Sequence, residues 1–410
     1  MLSIGIIGYG TVGSGVYERL TSSKEELQSA LKKEIQVKKV LVRDCKKERN
    51  NQGAKQCMTS DPVNFFQNQY DVVFEAIGGV EPARDYIIKL IQAGTSIITA
   101  NKELIAKHGA ELEKLAKEYQ VYLGFEAAVG GGIPIVNSFK TLFTTTPIRS
   151  VSGILNGTTN YILTEMKEKN RQFDDVLAEA KVLGYAEADP TDDIEGYDAL
   201  YKIRILSRLA FNEWPREENF SCKGISGMEV EAIEFAERQG LTIKLIAKTA
   251  NEDGVISGFV SPSFVTQTHP LYNINGVTNG VCIDGETVDC ITMSGPGAGK
   301  EATANSMVED FVLHEQFQGF ERRKVRLSNQ VSNKETKVVV FVDEFEKEEV
   351  VLQLRTISDC IDTEDTMNGK LALIVKLGYG KTVYDLETLI QKSSYPLLGD
   401  FSVNKIALLS

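Results

Sequence analysis

Short apolar runs alternate with amphipathic stretches over the first 130 residues. Within the apolar run Met1–Ile7, residues 2–7 read as a buried strand, and a helix starts near Thr11 and continues through Val16–Leu20. Further apolar runs at 37–42, 71–76, 96–99 and 121–125 predict strands, with helices over about 82–93 and 108–119. Such βα alternation implies a parallel sheet covered on both faces, with ligands at the carboxyl ends of its strands. Those ends are Gly8–Gly13, Arg43, Ile77–Gly79, Ala100–Lys102 and Glu126.

The pattern changes at Gly130-Gly131-Gly132-Ile133-Pro134, a joint between domains. Beyond it, a strand near 150–155 and helices near 157–169, 173–183 and 192–211 precede β-leaning segments over about 241–293. Gly295–Gly299 then opens a helix running to about His314. The lack of strict alternation suggests an α+β second domain. After about Ser328 come strand-like runs at 337–342 and 371–376 and a helical stretch over 380–393. The expected organisation is therefore α/β: a Rossmann-type domain over 1–130, a substrate and dimerisation domain over 131–318, and a small α+β unit over 329–410. The helix near 300–316 is expected to pack back on the first domain.

Gly8-Tyr9-Gly10-Thr11-Val12-Gly13 lies between the first strand and the first helix. In that place G-x-G-x-x-G is a phosphate cradle: one glycine for the tight turn, one for close approach of a pyrophosphate, one for helix–strand packing. Gly8, Gly10, Thr11, Val12 and Gly13 are thus candidate dinucleotide contacts.

Composition narrows the function classes. A net charge of −12 argues against general nucleic-acid binding. No apolar stretch approaches the roughly 18 residues of a membrane span. The N-terminus reads as a strand rather than a secretory signal, which points to the cytoplasm. The six cysteines show no C-x-x-C spacing and are expected to be reduced thiols. None of the three histidines pairs at zinc-ligand spacing.

Three constellations could carry chemistry. Arg43 ends the second strand, where a cation suits the 2′-phosphate of NADP; the neighbouring Asp44 keeps NAD open. Lys102 follows another strand end, where a lysine can polarise a carbonyl or simply begin a surface helix. The densest polar cluster runs from Gly184 to Lys202. Pro190 blocks helix continuation, and Asp198 and Lys202 stand at i and i+4 on a new helix. Carboxylates there suit an ammonium group, and a lysine suits a developing alkoxide.

Taken together, these segments resemble the homoserine dehydrogenases. The resemblance covers about 1–317 and rests on GYGTVGSGV at 8–16, TANKELIA at 99–106, EAAVGGGIPI at 126–135, GILNGTTNYIL at 153–163, GYAEADPTDDIEGYDALYK at 184–202 and GPGAGKEATA at 295–304. It implies NAD(P)-linked interconversion of L-aspartate 4-semialdehyde and L-homoserine, on the route to threonine, methionine and isoleucine. It makes Lys202 the general acid–base and puts Lys102 beside the nicotinamide. Glu187, Asp193, Asp198, Gly157, Thr158 and Tyr185 would line the substrate site. Backbone carbonyls of Glu126, Val129, Gly131 and Ile133 would hold a monovalent cation such as Na⁺. A dimer or dimer-based oligomer is implied, as is an ACT-type regulatory fold for the tail. Gly131 and Glu301 stand where the family more often has alanine and proline.

Overall fold

The computed structural model describes residues 1–49, 51–252, 254–316, 336–367, 369–378, 381, 383–392 and 394–399. The expected boundary near Ser328 lies outside the described residues. The chain forms two compact units: 1–145 with 204–214 and 295–325, and 146–203 with 215–294 and 326–410.

The first unit contains strands β1 (Leu2–Ile7), β2 (Ile35–Leu41), β3 (Met58–Thr59), β4 (Val72–Glu75), β5 (Ser96–Thr99) and β6 (Leu123–Gly124). They form one sheet in the order β3-β2-β1-β4-β5-β6, all pairs parallel. This is the doubly wound order, whose direction reverses beside β1 and opens a crevice at the strands' carboxyl ends. Helices α1 (Thr11–Ser22), α2 (Lys24–Leu31), α3 (Gln52–Cys57), α4 (Pro62–Phe66), α5 (Ala83–Gln92), α6 (Lys102–Glu118) and α7 (Ile135–Thr141) connect or follow the strands. Ile4, Ile6, Val16, Leu20, Val40 and Phe74 share a core with Met307, Val308 and Phe311 of the later helix Lys300–Gln316. That helix lies close to α1, where a Cβ on Gly15 would press against Ala304.

Two helix boundaries differ from the apolar pattern. The helix expected from 108 begins at Lys102, because Asn101 caps it. The helix expected over 192–211 is split into a short turn, α10 (Thr191–Ile194), and α11 (Tyr197–Phe211). Gly196 separates them, with φ +85°.

The second unit holds β7 (Ile148–Ile154), α8 (Gly157–Lys169), α9 (Phe173–Val182), β8 (Phe220–Cys222), α12 (Val230–Arg238), β9 (Thr242–Glu252), β10 (Val255–Val265), β11 (Thr278–Gly285) and β12 (Asp289–Pro296), the last two residues of β12 belonging to the first unit. With α13 being Lys300–Gln316, the chain continues as β13 (Lys337–Asp343), α14 (Lys347–Leu354), β14 (Ser358–Met367), β15 (Lys370–Leu377), α15 (Val383–Ile390) and β16 (Ser394–Leu398). This last stretch is a βαββαβ unit with strands ordered β16-β13-β15-β14, the ferredoxin-like split. It is not separate from what precedes it. β16 pairs in parallel with β10, Phe264 beside Leu397, so one ten-stranded sheet runs through the unit.

The expectation of six free thiols is corrected. Cys282 and Cys290 form a disulfide, while Cys45, Cys57, Cys222 and Cys360 are free. The two lie on neighbouring strands β11 and β12, whose pairing brings their Cα atoms to 6.2 Å. C-x-x-C spacing does not extend to a hairpin partner eight residues away. Among the described residues no helix is long and apolar enough to cross a membrane.

Candidate active site

The turn from β1 into α1 is built for close approach. Gly8 has φ +94°, and a Cβ there would lie 2.6 Å from the Ala76 carbonyl oxygen. A Cβ on Gly13 would collide with the Gly8 carbonyl. At Gly10, by contrast, a Cβ would meet nothing within 4 Å. Gly10 precedes the first residue of α1, no side chain caps that terminus, and its first turn carries no acid. The unsatisfied N–H groups, with Thr11 and Val12 among their residues, thus face open space with a partial positive charge. A cavity of ≈ 960 Å³ adjoins the turn, with Tyr9, Gly10, Thr11 and Ser14 on its wall. Its charged lining is Lys47, Arg49, Lys300 and Glu18, and Lys300 is paired to Glu18 at 2.6 Å. Arg49 donates to the Asp44 and Lys47 carbonyls, closing the loop after β2. Arg43 is exposed and is not part of this lining.

Lys102 is the first residue of α6, and its turn is fastened from below. Asn101 accepts from Leu104 N at 3.1 Å and donates to the carbonyls of Ile77 (3.1 Å) and Gly79 (2.7 Å). Its own N–H donates to Thr99 Oγ1 at 2.9 Å. Thr99 is hydrogen-bonded to Glu75, whose other oxygen accepts from Ile77 N at 2.7 Å. Glu75 is fully buried, and burial pushes its carboxyl up to about 7 against the opposing pull of the Thr99 and Ile77 bonds.

The glycine-rich loop after β6 is buried throughout its expected cation ligands. The Glu126 carboxyl accepts from Val136 N (3.0 Å) and Asn137 N (2.6 Å), so it caps α7. Burial first, and then Asp310, pushes it up to about 8. The Glu126 carbonyl accepts from Val129 N, that of Ile133 from Ile135 N at 2.7 Å, and that of Gly131 from the Ser306 hydroxyl at 2.6 Å. Gly131 has φ +56°, and a Cβ would strike the Gly297 carbonyl. The alanine more usual in the family is therefore poorly suited to this conformation.

In the second unit, one polar network gathers most of the predicted substrate residues. Lys202 Nζ is buried and donates to Leu155 O at 2.7 Å and Asp198 Oδ2 at 2.6 Å. Asn156, the cap of α8, donates to Asp193 Oδ1 (2.6 Å) and to the same Asp198 oxygen (2.9 Å). Thr158 Oγ1 donates to Tyr185 O at 2.6 Å, and the Tyr185 ring meets Tyr161 edge-on. Gly157 lies where a Cβ would crowd Val277 O. Glu187 stands exposed two residues beyond Tyr185. The motif at 153–163 placed Asn156 in view, but its bonds to carboxylates 37 and 42 residues away leave no local signal. Glu75, Thr99 and Asn279 likewise carry no local mark of their role in the sequence. Among the described residues no cluster of three or more His, Cys, Asp or Glu side chains could hold a metal ion.

Comparison with known proteins identifies the family. Residues 8–126 match the family model for the NAD-binding domain of homoserine dehydrogenase, and 134–312 match that for homoserine dehydrogenase. The homoserine dehydrogenase of Lactococcus lactis subsp. lactis is 39% identical over 315 residues, 76% of this chain and 73% of its own. That of Synechocystis is 41% identical over 316 residues, 76% and 72% respectively. A homoserine dehydrogenase crystal structure from Thiobacillus denitrificans superposes with a TM-score of 0.83 at 32% identity, covering 97% of this chain and 98% of that one. A hyperthermophilic archaeal homoserine dehydrogenase in complex with NADPH gives 0.65 at 26% identity, covering 78% and 99%. The glycine turn belongs to a nicotinamide-dinucleotide domain, and the chain belongs to the homoserine dehydrogenase family.

Proposed function

We propose that Lys202 is the general acid–base of a hydride transfer between L-homoserine and L-aspartate 4-semialdehyde. The observation that carries this is the buried ammonium held between Leu155 O and Asp198, beside Asp193. The bound nicotinamide supplies or accepts the hydride. Lys202 delivers its proton to the aldehyde oxygen in reduction and receives it in oxidation, where charge develops in the transition state. Glu187 and Asp193 bind the substrate ammonium, Asp198 orients Lys202, and Gly157, Thr158 and Tyr185 shape the pocket. Lys102, on the helix start capped by Asn101, would stand beside the nicotinamide.

NADP is the preferred cofactor in this reading. The cations Lys47 and Arg49 line the cavity beside the glycine turn, Arg43 stands at the end of β2, and an archaeal relative binds NADPH. The loop carbonyls of Glu126, Val129, Gly131 and Ile133 suit a monovalent cation: they are neutral oxygens, and each carbonyl accepting one hydrogen bond keeps a second lone pair. A dimer-based enzyme in the cytoplasm completes the proposal. Replacing Lys202 with alanine should lower kcat by about 1,000-fold, within the usual range for general acid–base catalysis, while cofactor binding persists. Near-normal turnover would refute the role. Comparing kcat/KM for NADP⁺ and NAD⁺ tests the cofactor.

The βαββαβ topology of 337–398 favours a second reading for that unit, an ACT-type sensor of an end-product amino acid. Inhibition by threonine or methionine tests it.

A further inference from the structure

We propose that two buried asparagines, Asn156 and Asn279, are positioning residues that hold the Lys202 ammonium in its working orientation, each by fixing one of its acceptors. The proposal rests on the acid–base role of Lys202. Lys202 sits at the end of a flexible four-carbon stem, so its acceptors decide where the ammonium points. One acceptor, Leu155 O, takes a second hydrogen bond from Asn279 Nδ2 at 3.0 Å. A second, Asp198 Oδ2, takes one from Asn156 Nδ2 at 2.9 Å. The two amides come from β11 and the start of α8, while Lys202 and Asp198 lie on α11. Three separate elements therefore converge on one ammonium.

Asn156 is held on all sides. Both amide hydrogens go to carboxylates, Asp193 and Asp198, and its oxygen accepts from Thr159 N (2.8 Å) and Thr159 Oγ1 (3.0 Å). It thereby decides which Asp198 oxygen faces Lys202. Asn279 supports the same conclusion from the opposite direction. It is fully buried on β11, yet among the described residues its Oδ1 has no hydrogen-bond partner. An orphaned buried oxygen is destabilising, and an apolar residue would suit this strand better. What the amide does at this position is donate its N–H to the Leu155 carbonyl, which holds that carbonyl towards Lys202.

The test uses Asn279→Leu and Asn156→Ser in the full chain. Leucine removes donor and orphan together; serine keeps the α8 cap and loses both donors. Each variant should lower kcat by about 10- to 100-fold, as expected of a small misplacement of a reacting group. In Asn279→Leu, KM for homoserine should change little and the protein should be at least as stable as the parent. The solvent deuterium isotope effect on kcat should rise as proton transfer becomes limiting. In a Lys202→Ala background, Asn279→Leu should cost nothing further. Parental kcat and isotope effect in both variants would overturn the inference. So would a loss in kcat that persists undiminished in the Lys202→Ala background. If Lys202→Ala itself keeps near-normal turnover, the acid–base reading fails instead, and that outcome is read from the single variant alone.

Discussion

Glu75→Gln isolates the buried carboxyl beneath the Lys102 turn. A glutamine can make the bonds of the neutral acid, donating to Thr99 Oγ1 and accepting from Ile77 N. Burial raises the Glu75 carboxyl from 4.5 to about 7. A carboxyl whose folded pKa is raised binds its proton more tightly in the folded state. Its stabilising contribution is full below the unfolded value of 4.5, declines as pH rises, and is lost once pH passes about 7. That interval corresponds to about 3 kcal/mol at about 1.4 kcal/mol per tenfold change. The assay is urea unfolding of parent and variant at several points between about pH 4 and about pH 8. Trp214 is the single tryptophan and belongs to the same unit as Glu75, so its fluorescence reports that unit. The two proteins should match at the acid end, and the variant should be more stable by about 3 kcal/mol at the alkaline end. A stability difference that does not change with pH, or a variant weaker than the parent at about pH 8, would refute the reasoning.

Gly10→Ala should leave the thermal midpoint unchanged, since the new methyl meets no protein atom within 4 Å, but raise KM for the cofactor by about 10-fold or more by occupying the pyrophosphate's space. An unaltered KM would place the phosphates elsewhere. Gly131→Ala should destabilise the protein by about 1–3 kcal/mol in thermal unfolding, through its positive φ and the Gly297 carbonyl. An unchanged midpoint would mean that the 295–299 loop gives way.

Where a feature depends on neighbours in sequence, the sequence revealed it. β1, the glycine turn and α1 lie within 22 residues, and their pattern announced a nucleotide-binding domain. The i,i+4 spacing of Asp198 and Lys202 put this ion pair on one helical face. What escaped depends on distant partners. The start of α6 is the exception: Asn101, capping Leu104 N three residues on, moved it back to Lys102, because local capping outweighed the apolar spacing further along. Glu75 is an ordinary acid in sequence, and only its burial against Thr99 and Ile77 N makes it unusual. The Cys282–Cys290 bridge needed the pairing of β11 with β12. The pairing of β16 with β10 carries no local mark at all.

That last pairing also sets an order of events during synthesis. Strand β10 leaves the ribosome about 130 residues before β16. At the usual 5–20 residues per second this is a wait of roughly 10 s. For that time the edge of β10 at Phe264 and Val265 has its hydrogen-bonding groups exposed, since β9 pairs along the opposite edge and β8 reaches only Gly258–Val260. The sheet of the second unit is thus sealed late, by a contact of long sequence separation, and a chain halted before Leu397 would present an adhesive edge rather than a finished catalytic domain.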